Sequence, residues 1–448
     1  VKTLIDLRLR RAFNNASATT AFAEHSLPMS VTTAPSGDTP PEEGQQATPH
    51  RLLHNSNFVL FGIVRVASAL AFQGASVAIG WMVYEKTGSA YDLGLVGLFQ
   101  FLPMIVMTFI VGNVADRYHR GRIVFWCQLA QAAILAFLLA GLHGAWLSVN
   151  MIFGAVAVLG AARSFQQPTM SALLPSIVPT AILQRAVAAS SSFMQTATII
   201  GPSLGGALYA ISPDLSLGLC AFFLVVGSLS VAFIKGQHKV ANKAPVTLAS
   251  FFGGVSFIRR HPVILGTISL DLFAVLLGGV TALLPIFASD ILHTGPWGLG
   301  MLRSAPALGA LSMSLVLARV SLDKGAGYKM FAAVLVFGLA TVIFSLSSNL
   351  VLSLFCLFVL GAADNVSVVV RSSLVQLQTP DDMRGRVNAV NFLFIGASNQ
   401  LGEFESGMMA GLLGAVPSGV IGGIGTIVVA LLWMRLFPQL RRVESLSG

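Results

Sequence analysis

Asp271, Glu403, Glu405, Arg303 and Arg65 stand inside long apolar runs, where charge is hardest to hold. In a hydrocarbon layer each such residue costs about 2.5–3.5 kcal/mol on insertion scales, so each calls for a partner or a function. A carboxyl in that setting can load and release a proton as its surroundings alternate between dry and wet. Asp271 lies about ten residues into its run, roughly 15 Å at 1.5 Å per residue. That is near the midplane of a bilayer core of about 30 Å. No base stands at an obviously matching depth, which favours a proton-carrying role for Asp271. Glu403 and Glu405 are two positions apart and point about 200° away from each other on a helix. Arg303 lies at a depth similar to theirs. The glutamates therefore read either as coupling acids or as partners of Arg303 in an ion pair that aligns helices. Arg65, near one end of its run, has the length to snorkel.

Other chemistry finds little support. There is no His-Glu-x-x-His, no Gly-x-Ser-x-Gly turn and no Gly-x-x-x-x-Gly-Lys-Ser/Thr loop, so neither an enzyme nor an ATP-driven pump is expected. Cys127, Cys220 and Cys356 all fall in apolar runs and read as small hydrophobes, with no metal or disulfide spacing.

The elements that must position these charges are membrane helices. The 448-residue chain is 55% hydrophobic and 10% charged, with mean hydropathy +0.79; a soluble protein carries about 25% charged residues. About 20 apolar residues span a bilayer. Twelve spans are expected, at 57–84, 94–114, 123–142, 146–167, 187–210, 215–234, 262–288, 297–319, 329–346, 350–370, 387–410 and 417–437. Of 27 Lys+Arg residues, all but Lys86, Arg65 and Arg303 lie in or beside the N-terminal tail, the even-numbered gaps or the C-terminal tail. Positive loops stay cytoplasmic, which puts both termini inside. The formal charge of +9 is thus spread over short loops and does not point to nucleic acid.

Residues 1–50, rich in Ala, Ser, Thr, Pro, Glu and Gln, read as a disordered cytoplasmic tail without a signal-peptide core. Met29 resembles an ordinary start, and residues 1–28 read as an upstream extension of the frame. A basic linker at 235–261 divides the rest into six-helix halves at 51–234 and 262–437, followed by a cytoplasmic tail at 438–448. The halves repeat. Gly160-Ala-Ala-Arg163 matches Gly361-Ala-Ala-Asp364, and Ser171-Ala-Leu-Leu-Pro-Ser-Ile-Val-Pro179 aligns with Ser372-Ser-Leu-Val-Gln-Leu-Gln-Thr-Pro380. Arg185 falls on Arg386, and Asp116 corresponds to Asp323. Such internal similarity marks parallel-repeat transporters. Arg163 and Asp364, expected near cytoplasmic helix ends, are candidates for an inner gate; Arg163 pairing with Asp116 is the alternative.

The loop Gly112-Asn-Val-Ala-Asp116-Arg117-Tyr-His-Arg120-Gly-Arg122 sets one carboxylate among guanidinium groups that can pair with it and cap helix ends. It resembles the signature loop of the major facilitator superfamily, with His119 where that family has glycine and Gly121 where it has a base. Ala197-Thr-Ile-Ile-Gly201-Pro202-Ser-Leu-Gly205-Gly206 resembles the family's exporter, or antiporter, motif, with Ala197 for its leading glycine. Small residues every four positions let a neighbouring helix approach closely, and Pro202 removes a backbone hydrogen bond. Met82-Val-Tyr-Glu-Lys-Thr-Gly-Ser89, Leu270–Gly279 and Gly396–Gly407 narrow the resemblance to the bacterial enterobactin-exporter and secretion-effector branch.

The resemblance implies an all-α major facilitator fold with a cavity between its halves. It implies a proton-coupled secondary exporter of a siderophore-like metabolite or drug, working by alternating access in the bacterial inner membrane. The gate set would be Asp116, Arg117, Arg120, Arg122, Arg163 and Asp364. No cofactor is expected beyond the proton gradient. Partners would be a small-molecule substrate and the lipid bilayer, with no nucleic acid, the chain acting as a monomer. An importer, a uniporter or a transport-inactive sensor is the alternative.

Overall fold

The turns that start and stop the helices are built into the local sequence. The side-chain oxygen of Asn55 accepts hydrogen bonds from the backbone of Asn57 and Phe58, capping the first helix. Gly88, at φ +60°, ends it in a left-handed turn that a side chain would strain. Ser148 and Asn349, 201 positions apart, cap two later helices in the same way, each accepting from the N–H three residues on.

The computed structural model describes residues 55–179, 182–235, 248–320 and 325–444. The expected 1–50 tail and Asp323 lie outside these, as do the side chains of Asp116 and Arg117. The helices are α1 Ser56–Thr87, α2 Ala90–Arg117, α3 Arg120–His143, α4 Val149–Ile177, α5 Leu183–Ile211 and α6 Pro213–Ala232. A short helix, α7 Leu248–Arg260, is followed by α8 Pro262–Leu277, which continues through a 3-10 turn at Val280–Leu283 and a π turn at Phe287–Ile291. Then come α9 Gly295–Leu317, α10 Ala326–Leu346, α11 Leu350–Gln378, α12 Asp381–Leu413, α13 Ala415–Leu436 and the single turn α14 Pro438–Arg441.

Ten segments among the described residues are long and apolar enough to cross a membrane. Twelve were expected. The two that fall short are α5 and α12, both long helices at the expected places. Their polar residues explain the shortfall: Ser190, Ser191, Ser192, Gln195, Thr196 and Ser203 on α5, and Asn391, Ser398, Asn399, Gln400, Glu403 and Glu405 on α12. Each of these helices packs against the opposite half, α5 on α9 and α12 on α2, so a large part of its surface never meets lipid.

The two halves use one packing plan. α1 packs on α5 and α6, α3 on α4 and α6, and α2 on α4. In the same manner α8 packs on α12 and α13, α10 on α11 and α13, and α9 on α11. α4 and α11 are both 29 residues long and begin 201 positions apart. Both halves belong to one compact unit rather than to separable domains. Asn57 and Lys235 exchange side-chain and backbone hydrogen bonds of 2.8 and 3.1 Å, which places the start of α1 at the linker end of the bundle.

Two segments outside the expected spans are ordered. Part of the linker is helical: α7 buries Ile258 beside Val387 and Val390, leaving Arg259 and Arg260 exposed in its last turn. The C-terminal segment, expected as a cytoplasmic tail, is docked on the bundle as far as Glu444. Leu440 is fully buried, and the N–H groups of Gly325 and Gly327 donate to the carbonyls of Glu444 and Val443 at 2.8 and 3.2 Å.

Candidate functional site

The interface between the halves is closed at the end away from the linker. There Tyr84 of α1 donates a hydrogen bond to the Asp290 carboxylate. Arg303 of α9 reaches across to the Ser76 hydroxyl at 2.6 Å, and Ser203 and Ser304 are 2.8 Å apart. Contacts of this kind continue to about the middle of the bundle, where Gln195 donates to the carbonyl of Ala307 at 3.3 Å and Met104 lies against Gly396.

Glycines make this closure possible, and they come in repeat-related pairs. A side chain at Gly201 would meet Leu70 and Gln73 of α1; one at Gly402 would meet Val275 and Leu276 of α8. Gly206 faces Pro296 and Gly300 of the opposite half, and Gly407 faces Ala90 and Gly94 of its own opposite half. Gly201 and Gly402, like Gly206 and Gly407, are 201 positions apart. Gly205 meets Gly74 backbone to backbone. Pro202 stands inside a helix that continues to Ile211. The sequence motif of α5 is therefore a close-packing device that α12 also carries, and it serves the interior of a half and the interface together.

Asp271 has a base at its own depth after all. The Arg371 guanidinium pairs with its carboxylate, and both side chains are enclosed. Apolar content had ended this span at 370 and assigned Arg371 to a loop; the helix runs on to Gln378 and keeps Arg371 inside. Asp271, Asp364, Ser367 and Phe337 line one small cavity. The Ser367 hydroxyl is buried there without a hydrogen-bond partner.

Arg163 and Asp364 were expected near helix ends. Each is the fifteenth residue of its 29-residue helix, at mid-bundle, because both helices extend well past their apolar runs. They are placed apart from each other. Arg163 stacks over the Phe72 ring, 3.2 Å from its centroid, whereas Asp364 faces the Asp271 cavity.

Glu403 and Glu405 diverge as their spacing requires. Glu403 packs directly on Gly97 of α2 and lies within the electrostatic reach of Arg303. Glu405 accepts a hydrogen bond from Ser406 at 3.4 Å. Arg303 bonds Ser76, and among the described residues it forms no ion pair with either glutamate. In the α2–α3 loop region Arg120 donates to the carbonyl of Ala172 at 2.9 Å, tying α3 to α4, and Arg122 is exposed. Asp116 and Arg117 cannot be placed in this network, since their side chains lie outside the described residues.

The sequence reading also passed over a buried amide network in the first half. Gln128 and Gln166 both donate to the Ser68 hydroxyl, the latter at 2.9 Å, and Gln131 donates to Gln166 at 2.6 Å. Three glutamines in apolar runs were the available signal. They join α1, α3 and α4 by hydrogen bonds that a lipid-facing position could not supply.

Two pseudo-repeated halves, a membrane-spanning helical bundle and charges held inside it define a multi-pass transporter. The chain belongs to the Major Facilitator Superfamily, which it matches over residues 61–403. It is 25% identical over 403 residues to the enterobactin exporter EntS of Citrobacter koseri, covering 86% of this chain and 92% of that one. It is 26% identical to the MFS-type transporter YjbB of Bacillus subtilis, covering 86% and 95%. Among solved structures, the nucleoside transporter NupG (D323A mutant) superposes with a TM-score of 0.69 at 13% identity, covering 85% of this chain and all of that one. At that identity the likeness speaks for the fold alone. The family is one of transporters, not enzymes.

Proposed function

We propose that the protein is a secondary active exporter of a small organic molecule in the bacterial inner membrane. It would work by alternating access, with α5 and α12 completing twelve spans and both termini and the linker in the cytoplasm. The observation that carries this reading is the match to enterobactin exporters over nearly their whole length. The asymmetry of the interface supports it: with the linker inside, the halves are held together on the outer side, the arrangement in which cargo loads from the cytoplasm. Cargo release would require the Tyr84–Asp290, Arg303–Ser76 and glycine contacts to part while the halves rock.

Coupling to protons falls to the acids of the second half. Asp271, paired with Arg371 beside Asp364, is the first candidate; Glu403 at the closed interface is the second, and Glu405 the third. Proton uptake by Asp271 would release Arg371 and change which arrangement of the halves is favoured. Asp116, Arg117, Arg120 and Arg122 would latch the cytoplasmic side in the opposite state. The energy source is the proton gradient, without a cofactor, and the working unit is a monomer in the bilayer.

The test is direction of flux. Metabolite profiling of a deletion strain should show one compound retained in cells. Inverted vesicles carrying the protein should take up that compound when their interior is acidified. Uptake into right-side-out vesicles whose exterior is acidified would replace the exporter by an importer. Equal flux without a gradient would make it a uniporter.

A further inference from the structure

The two halves differ in how their charges are paired. On the second half Asp271 has Arg371 as its counter-ion. On the first half Arg163 lies over the ring of Phe72, about two helical turns along α1 from Arg65. No carboxylate among the described residues comes within ion-pair distance of either. The Arg65 Nε is buried without a hydrogen-bond partner, and Arg163 rests on the face of Phe72. A guanidinium held within a membrane span is costly without a counter-charge; Arg371 has one, and among the described residues Arg65 and Arg163 do not.

The placement of the pair says where that counter-charge would come from. Arg65, Phe72, Ser76 and Gly80 recur at spacings of seven, four and four, forming one stripe along α1. Ser76 and Gly80 on this stripe meet Arg303 of the opposite half. The stripe therefore faces the path between the halves. Toward the linker end it presents Arg65 and Phe72, with Arg163 stacked on the latter. The repeat position that holds a cation in the first half, Arg163, holds an acid, Asp364, in the second.

We propose that Arg65 and Arg163 form an anion-binding wall of the cargo site, and that the cargo is an organic anion bearing a carboxylate or similar oxyanion. Guanidinium forks match such groups with paired, charge-assisted hydrogen bonds. Bound there, the cargo would supply a counter-charge that no carboxylate among the described residues supplies. An anion moving outward also travels with the membrane potential of a cell that is negative inside. The word cargo rests on the transporter reading above; the anion preference does not depend on the direction of flux.

The experiment compares two probes of matched size on the purified full-length chain in detergent: 1-naphthoate and 1-naphthylmethylammonium, each titrated calorimetrically. Naphthoate should bind, and about tenfold or more weakly to Arg65→Gln and to Arg163→Gln, the loss expected for one charged hydrogen-bonding group. Arg163→Lys, which keeps the charge, should recover part of that affinity and shows that loss is not misfolding. Absence of naphthoate binding to the wild type, or equal affinity in all four proteins, would overturn the proposal. So would tighter binding of the ammonium probe. Saturable binding of bromide with none of naphthoate would identify an inorganic counter-ion and overturn the cargo assignment. Because no flux is measured, failure here leaves the exporter reading standing, and failure of export leaves the anion wall standing.

Discussion

Arg371 of α11 and Asp271 of α8 form an enclosed ion pair, their side chains 4% and 6% exposed. Breaking a buried pair leaves the surviving charge uncompensated, at about 3–5 kcal/mol, whereas removing both charges costs far less. Asp271→Asn and Arg371→Gln should each lower the thermal unfolding temperature and yield of the purified protein. The double variant Asp271→Asn/Arg371→Gln should recover most of that loss. A double variant as unstable as the sum of the singles would show that the two side chains act independently.

The same double variant tests coupling with folding removed as an issue. It should bind and exchange cargo down its gradient but fail to accumulate it when a proton gradient is imposed on reconstituted vesicles. Gradient-driven accumulation at the wild-type rate would take Asp271 out of the mechanism. Glu403→Gln and Glu405→Gln in the same assay would then decide between the other acids.

Closure at the end away from the linker depends on bare backbone at Gly206 and Gly407. A side chain at either would run into the opposite half's backbone, at Pro296 and Gly300 or at Ala90 and Gly94. Overpacking of this kind costs about 1–3 kcal/mol, here only in the closed state. Gly206→Val and Gly407→Val should therefore shift the population toward the opposite state by roughly tenfold or more. Spin-label distances across the α1–α2 and α8–α9 turns report this directly; unchanged distances would show that the contact is not limiting.

Tyr84→Phe removes one hydrogen bond from the same closure while leaving the ring in place. A bond to a charged acceptor is worth about 1.5–3 kcal/mol. The variant should shift the same distances in the same direction, and Asp290→Asn should do so less, because the amide oxygen still accepts. A larger effect from Asp290→Asn would mean that Asp290 acts through some other partner.

The orientation follows from the positive loops and is open to labelling. Single cysteines at Gly88 should react with an impermeant maleimide from outside, and those at His119, Val240 and Gly325 only from inside. Two positions on the wrong side would overturn the helix count as well as the orientation.

Membrane insertion, the two halves and the long helices are determined by the sequence itself. Each rests on local composition: apolar length sets a span, basic residues set its side, and capping residues such as Ser148 and Asn349 set its start. The glycine motif of α5 was equally legible, because small residues at a spacing of four have one structural use in a membrane helix. Partnership was not legible. Apolar content ended the tenth span at 370, while the buried helix ran on to 378, since a helix packed among others tolerates polar residues that lipid would reject. That extension turned Arg371 from a loop residue into the counter-ion of Asp271 and carried Asp364 to mid-bundle, as the extension of α4 to Ile177 did for Arg163. Only the tertiary structure decides such pairs, because an ion pair 100 positions long in sequence depends on helix rotation and depth, which no local pattern encodes.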